Sequence, residues 1–178
     1  MALYIAPHGW DHPGWVGEFY PDDLPPAWRL AYFFNEFDAV VVPAAIWAEA
    51  PDPAAWCEDS PPSARFFIEL PGPGADGAPL LIAAERLGPR LAGFIAAPGL
   101  GPADLAGWRA RLPRGVPGPE GLTVEVHEGA APDLRALRER MAALARRGDA
   151  LLVFTGNPPS LAALRAARTL AQLLGLPS

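Results

Sequence analysis

The chain has 178 residues, of which 51% are hydrophobic and 19% charged, and its formal net charge is −6. These values are typical of a globular protein, and residues 1–178 are predicted to form a single domain. The acidic balance argues against nucleic-acid binding, which needs a concentrated basic surface. The densest basic cluster is predicted to be a solvated helix face and comprises Arg135, Arg138, Arg140, Arg146 and Arg147.

Cysteine content and hydropathy indicate where the protein works. Cys57 is the only cysteine, which excludes an internal disulfide and fits a reducing compartment. The first residues lack the basic and apolar segments of a signal peptide. The longest apolar run, Ala39 to Ala48, is far shorter than the ~20 residues of a membrane-spanning helix. We therefore expect a cytoplasmic protein that does not contact membranes.

Short apolar runs alternate with amphipathic segments along the chain. The runs are apolar on both faces, as buried parallel strands are. Six strands are predicted, at Leu3–Ala6, Ala39–Val42, Arg65–Leu70, Ala92–Ala96, Leu122–His127 and Ala150–Phe154. The predicted helical segments are Ala27–Phe37, Asp52–Glu58, Leu80–Leu91, Pro102–Leu112, Pro132–Arg147 and Ser160–Leu174. This alternation predicts βαβ units and therefore an α/β fold with a parallel sheet.

The stretch from Gly9 to Pro51 holds four of the six tryptophans and carries a family resemblance. It opens with Gly9-Trp10 and an aromatic loop, Trp15-Val16-Gly17-Glu18-Phe19-Tyr20-Pro21, and continues with a helix ending at Phe37 and a β-branched strand, Val40–Val42. This order resembles the YecE-like family, the domain of unknown function numbered 72. Further similar segments follow in order: Arg65-Phe66 to Pro71, Leu87-Gly88-Pro89, Val124-Glu125-Val126, and LLVFTGN before an Ala/Leu/Arg helix.

The resemblance implies a TIM-barrel-like parallel β/α fold, which composition alone does not indicate. A closed eight-unit barrel needs at least ~200 residues, and one βαβ unit takes roughly 30. We therefore expect a barrel shortened to about six strands, with the gap between Glu128 and Ala150. Direct pairing of Leu122–His127 with Ala150–Phe154 is favoured, and would close or nearly close a smaller barrel.

Several polar positions of the family are replaced in this chain. The Glu-x-Asn and Phe-Tyr that usually end the family's second strand correspond to Val41, Pro43, Ile46 and Trp47. The threonine and the serine of the family's opening Gly-Thr-Ser-Gly-Trp correspond to Pro7 and His8. The lysine that follows the family's third strand corresponds to Glu69. The polar family positions that survive are Glu125 and Asn157.

Polar side chains at the carboxyl ends of the strands are the catalytic candidates, because barrel enzymes place their sites there. Glu125 and His127 share one face of the fifth strand, and the alternate valines are expected to face the helices. With His8 and Glu69 they are predicted to point inward at one mouth. Two histidines and two carboxylates suit a divalent metal that activates water for hydrolysis. Alternatively, these four side chains only satisfy one another's hydrogen bonds.

The aromatic loop suggests a second kind of site, a pocket in which a small molecule stacks on aromatic rings. The alternative is that the same rings cap the hydrophobic core. The candidate ligand-binding residues are His8, Trp10, Trp15, Tyr20, Trp47 and Asn157.

Two functions remain open at this point. The replaced polar positions favour a divergent, non-catalytic binding or interaction module whose ligand the sequence does not identify. The polar residues at the mouth favour a small hydrolase-type enzyme, with or without a metal. A homodimer is also predicted, because a shortened barrel leaves apolar surface near its gap.

Overall fold

The computed structural model describes residues 2–49, 51–72, 74–129 and 133–176, and these ranges contain six strands and six α-helices. The strands are β1 (Leu3–Pro7), β2 (Ala39–Val42), β3 (Arg65–Leu70), β4 (Leu91–Ala96), β5 (Thr123–Glu128) and β6 (Ala150–Thr155). The helices are α1 (Arg29–Phe33), α2 (Pro53–Glu58), α3 (Ala78–Leu87), α4 (Pro102–Arg109), α5 (Leu134–Ala145) and α6 (Leu161–Leu173). Short 3-10 segments lie at Pro13–Trp15, Pro26–Trp28, Ala44–Glu49 and Gly88–Arg90.

The strands form two three-stranded parallel sheets, ordered β1–β6–β5 and β2–β3–β4. The sheets meet at one point, where His8 and Val41 form a parallel bridge and the Gly9 amide donates to the Val41 carbonyl at 2.8 Å. The strands thus follow one another as β5–β6–β1–β2–β3–β4. The α/β fold with parallel strands is confirmed, but no ladder joins β4 to β5 in the described ranges, so the expected closure is not found.

In the described ranges the strands are open between β4 and β5, whereas the gap relative to the family was expected between Glu128 and Ala150. β5 pairs directly with β6 in parallel, with Val126 opposite Val153, so the favoured pairing is confirmed. The connection through α5 is a complete crossover between two neighbouring parallel strands, and no further strand is needed there.

The outer edge of β4 is partly covered by the loop that follows α4. The Phe94 amide donates to the Pro117 carbonyl at 2.9 Å. Gly93 permits this approach, because a Cβ added there would lie 3.3 Å from the same carbonyl oxygen and 3.4 Å from the Phe67 ring. The loop therefore satisfies part of one free edge of the sheet.

The strands separate two apolar clusters. The larger one packs the outer faces of the strands against the helices and the aromatic loop. The smaller one lies on the inner face, which explains why most strands are apolar on both sides. Its members are Ala6, Ala39, Val41, Phe67, Ile95, Leu122, Leu151 and Val153, with Tyr4 and Ala92 packed against them.

Two helices, α1 and α3, end four residues earlier than the sequence predicts. The predicted helix Ala27–Phe37 reduces to a 3-10 turn and α1, because the amides of Asn35 and Glu36 donate to carbonyls three residues earlier. The predicted helix Leu80–Leu91 ends at Leu87, because Gly88 adopts a φ of +51° and a proline follows it.

The helix α5 is shorter than predicted at its amino end. The predicted first residue, Pro132, lies outside the described residues. Asp133 caps the helix instead, since its carboxylate accepts from the amides of Arg135 and Ala136 at 3.0 and 3.1 Å.

Among the described helices, none combines the length and the apolar character needed to cross a membrane.

Trp15 connects the aromatic loop to the opposite end of the chain. Its side chain is 0% exposed, and its ring lies parallel to that of Phe33 at a centroid distance of 6.4 Å. The indole Nε1 donates to the carbonyl of Pro159, in the turn before α6, at 2.9 Å. The buried ring and its hydrogen bond together fix the loop on the core.

We predict that Trp15→Ala lowers the free energy of unfolding by about 3–5 kcal/mol, because it leaves a cavity in a packed core. Urea denaturation measures the change. The matched control is Trp28→Ala, since Trp28 is 65% exposed and its removal should change stability by less than about 0.5 kcal/mol. Equal losses in both variants would contradict the core position of Trp15.

Candidate functional site

A histidine and a carboxylate meet at the carboxyl ends of β1 and β3. His8 follows β1, and Glu69 lies near the end of β3, with β2 between them. His8 Nε2 lies 3.1 Å from Glu69 Oε2, and the amide of Ala44, just after β2, donates to the same oxygen at 2.8 Å. Three neighbouring strands thus converge on one carboxylate.

Glu69 is 8% exposed but is held in its charged form. Burial by itself raises the pKa of the carboxyl group, but the hydrogen bonds from His8 and Ala44 and the attraction of His8 outweigh it and lower the pKa. Trp47 also donates its indole N–H to the Glu69 carbonyl at 3.3 Å. The pair is therefore a positioned His–Glu dyad with little freedom on the glutamate side.

A second histidine lies behind this dyad. His12 Nε2 lies 3.0 Å from the carbonyl of His8, and its ring packs edge-on against Trp15 at 4.6 Å. Burial lowers the pKa of His12, although its backbone contacts at His8 and Gly9 oppose this shift. His12 therefore acts as a neutral support for the main chain that carries His8.

The other two predicted site residues lie elsewhere. Glu125 and His127 share a face, as predicted, but that face points toward α5, where the guanidinium of Arg140 contacts both. Arg140 Nε donates to Glu125 Oε1, and Nη1 lies 3.1 Å from His127 Nδ1. Arg140 Nη2 also donates to the Val126 carbonyl at 3.0 Å. The prediction that these side chains point inward is wrong.

The electrostatic surroundings of His127 agree with this arrangement. Desolvation and the adjacent Arg140 charge lower the pKa of His127, and Glu125 only partly opposes them. The neutral ring can then accept from Arg140 through Nδ1. The ring packs at an interplanar angle of 49° against Phe154 of β6, with a centroid distance of 4.9 Å. Arg140, Glu125 and His127 thus fix β5 to α5.

The four residues predicted to bind a metal do not form one site. His8 and Glu69 lie on the inner side of the strands, whereas Glu125 and His127 lie under α5. In the described ranges, no group of three or more His, Cys, Asp or Glu side chains is placed to hold a metal ion. The described residues therefore provide no set of ligands for the divalent metal that the sequence predicted.

The aromatic ligand-binding candidates are mostly part of the core. Trp10, Trp15, Tyr20 and Trp47 are all buried. The polar atoms of Trp15, Tyr20 and Trp47 donate to main-chain carbonyls, as Tyr20 does by donating its hydroxyl to the Trp10 carbonyl at 2.5 Å. Burial also raises the pKa of Tyr20, so this hydroxyl stays protonated. The alternative that these rings cap the core agrees with this packing.

Asn157 lies on the exposed turn between β6 and α6. A cavity of about 470 Å³ adjoins this turn and is lined by Gly156 and Pro158, its two neighbours. Asn157 is not among the residues that line the cavity, so it is not placed to bind a ligand there.

Sequence reasoning missed Arg140 and the main-chain amide of Ala44. Arg140 belongs to a basic cluster that was predicted to be a solvated helix face. One feature of the sequence indicates the contact of Arg140 with β5. The helix α5 directly follows β5, and a crossover helix packs back onto the sheet beside its own strand. The Ala44 amide could not be predicted, because a main-chain N–H is present in every residue except proline and the residue type does not mark it.

Comparisons with known proteins support the fold. No family model matches the sequence, and no curated protein matches it. The structure is similar to the crystal structure of a DUF72 family protein from Thermotoga maritima, with a TM-score of 0.64 and 16% sequence identity. The similarity covers 98% of this chain and 100% of the other chain. At this identity the two proteins share a fold, which agrees with the resemblance found in the sequence.

The dyad predicts a pH dependence of stability. Because the folded state lowers the pKa of Glu69, its contribution is present at neutral pH and is lost as pH falls below the ordinary value of 4.5. Glu69→Gln should lower the free energy of unfolding at neutral pH by about 1–3 kcal/mol. It should also flatten the loss of stability in the acid range.

Urea denaturation at a series of pH values measures both effects. Glu85→Gln, at an exposed position of α3, is the matched control and should follow the unmodified protein. A Glu69→Gln profile parallel to that of the unmodified protein at all pH values would show that the dyad does not hold the charged carboxylate.

Proposed function

We propose that this chain is a divergent YecE-like domain that works as an interaction module, with the outer edge of β5 as its contact surface. The observation that carries the proposal is the exposure of Val124 and Val126, at 37% and 50%. They lie opposite Leu151 and Val153 of β6, which are buried members of the inner cluster. Among the described residues, the large apolar side chains exposed on the inner face therefore lie where the ring of strands is open.

The two edges at the opening differ in a way that supports this surface. The edge of β4 is partly satisfied, because its Phe94 amide donates to the Pro117 carbonyl of the loop after α4. In the described residues no strand pairs with the outer edge of β5. Exposed strand edges bind extended segments by adding a strand, with the main chain giving affinity and side-chain positions giving specificity. A TIM-barrel-like ring that lacks strands between β4 and β5 offers this kind of surface.

The rest of the site supports binding more than metal-assisted hydrolysis. The family's polar positions at the end of the second strand are Val41 and Pro43 here. Glu125, a surviving family position, is engaged with Arg140 under α5. Of the four polar residues predicted at the mouth, His8 and Glu69 are the two that the described structure brings together.

Amide hydrogen exchange followed by NMR tests the free edge. In dilute protein the amides of Val124 and Val126 should exchange fast, whereas those of Glu125 and His127, directed at β6, should be protected. The internal control is β6, where Leu151 to Phe154 should all be protected because β6 has a neighbour on each side. Equal protection of Val124 and Glu125 in dilute protein would show that the edge is covered, and would overturn this proposal.

A second candidate function, hydrolysis, is favoured by one observation. A carboxylate that orients a histidine is the usual support of a general base, and His8 is oriented by Glu69 at 3.1 Å. A cavity of about 300 Å³, lined by residues next to the dyad such as Gly9 and Pro43, offers room for a small substrate. In this alternative His8 removes a proton from water, and Glu69 holds the imidazole in place.

Assays with chromogenic esters, phosphomonoesters and glycosides separate the two functions. If His8 is a general base, any hydrolysis should fall by about 10²–10⁴-fold in His8→Ala. The control is His127→Asn, which lies under α5 and should keep its activity. Turnover that His8→Ala leaves unchanged would exclude the dyad as its source.

A further inference from the structure

We propose that the outer edge of β5 pairs in antiparallel fashion with β5 of a second copy of this chain, centred on Val126. This rests on the proposed function and names the partner of the same surface. The reasons are the direction of the main-chain groups at the edge and the self-complementary order of the β5 side chains.

The main chain of β5 presents alternate residues to its open edge. The Thr123 amide donates to the Asp149 carbonyl, at the start of β6, at 3.1 Å. In a parallel strand the amide and carbonyl of one residue point to the same neighbour, and the direction alternates. The main-chain groups that bond to β6 are therefore those of Thr123, Glu125 and His127. The main-chain groups directed at the opening are those of Val124 and Val126.

The contact of Arg140 with the Val126 carbonyl agrees with this direction. Arg140 Nη2 reaches the Val126 carbonyl from the helix side at 3.0 Å. A carbonyl oxygen has two lone pairs, so an amide of a second copy can bond to the other one. The contact also shows that the Val126 carbonyl points away from β6.

Symmetry restricts the register of such a pair. A two-fold axis through an antiparallel pair stands perpendicular to the sheet, so paired residues keep the same face. The pair is then centred on a residue of β5, and the candidates near its middle are Glu125 and Val126. Centring on Glu125 sets two carboxylates directly opposite each other, which is unfavourable.

Centring on Val126 gives a complementary arrangement. Val126 then lies opposite Val126 of the second copy, and their exposed side chains meet on the inner face. Glu125 lies opposite His127 of the second copy, and the reverse pair forms on the other side of the axis. Each carboxylate then lies opposite an imidazole of the other copy and not opposite a second carboxylate, so this register avoids facing like charges. The order of β5 is therefore self-complementary, which favours a copy of this chain over an unrelated strand.

Sedimentation across a dilution series tests whether a second copy binds. We expect a reversible dimer, and Val126→Glu should raise its dissociation constant at least about tenfold, because it sets two carboxylates opposite each other at the centre. The matched control is Ile82→Glu, since Ile82 on α3 is 56% exposed and should leave the constant unchanged. A concentration-independent monomer would overturn the second copy as partner but would leave the exchange test of the free edge intact.

Cysteine cross-linking tests the register. In a Cys57→Ala background, Val126→Cys should form an intermolecular disulfide on oxidation, because the facing Cα atoms would lie about 5.5 Å apart. Val124→Cys should not, because its two copies would be about 14 Å apart along the strands. Ile82→Cys measures disulfides from random collision. Equal cross-linking at positions 124 and 126 would indicate centring on Glu125 and would overturn the register.

Discussion

The two parallel ladders of β6 join the beginning and the end of the chain in one sheet. β6 pairs with β1 on one side and with β5 on the other, and the Ala150 amide donates to the Ala2 carbonyl at 2.9 Å. The turn after β6 then receives the indole N–H of Trp15. The aromatic loop, the inner apolar cluster and the dyad all depend on this placement, because β1 carries His8 into position beside β2 and β3.

In the described residues the two three-stranded sheets are joined by one bridge, between His8 and Val41. The dyad lies at this joint. Glu69 reaches from β3 to His8 after β1, while the Ala44 amide after β2 donates to the same carboxylate. A buried, charged carboxylate with two donors links three strands where the regular ladder is weakest.

The β5 strand shows how an open sheet limits the exposure of its edge. Arg140 of α5 contacts the side chains of Glu125 and His127 and the Val126 carbonyl. Charged side chains on an edge strand reduce unselective strand addition. The two valines between these polar residues stay accessible on the inner side. The edge is therefore polar on one face and apolar on the other, which favours a partner of matching pattern over general aggregation.

Local patterns in the sequence specify the order of the elements and the alternation within them. The strand positions, the parallel α/β fold and the shared face of Glu125 and His127 follow from these patterns, because each depends on residues close in the chain. The direction in which that face points depends instead on packing between distant elements. β6 is apolar on both sides, so its pattern does not distinguish the layer of Leu151 and Val153 from that of Leu152 and Phe154. The sequence did not indicate that the ring of strands is open between β4 and β5, for a similar reason. Strand pairing is a contact between residues that are distant in the chain, and the pattern within one strand does not specify its neighbour.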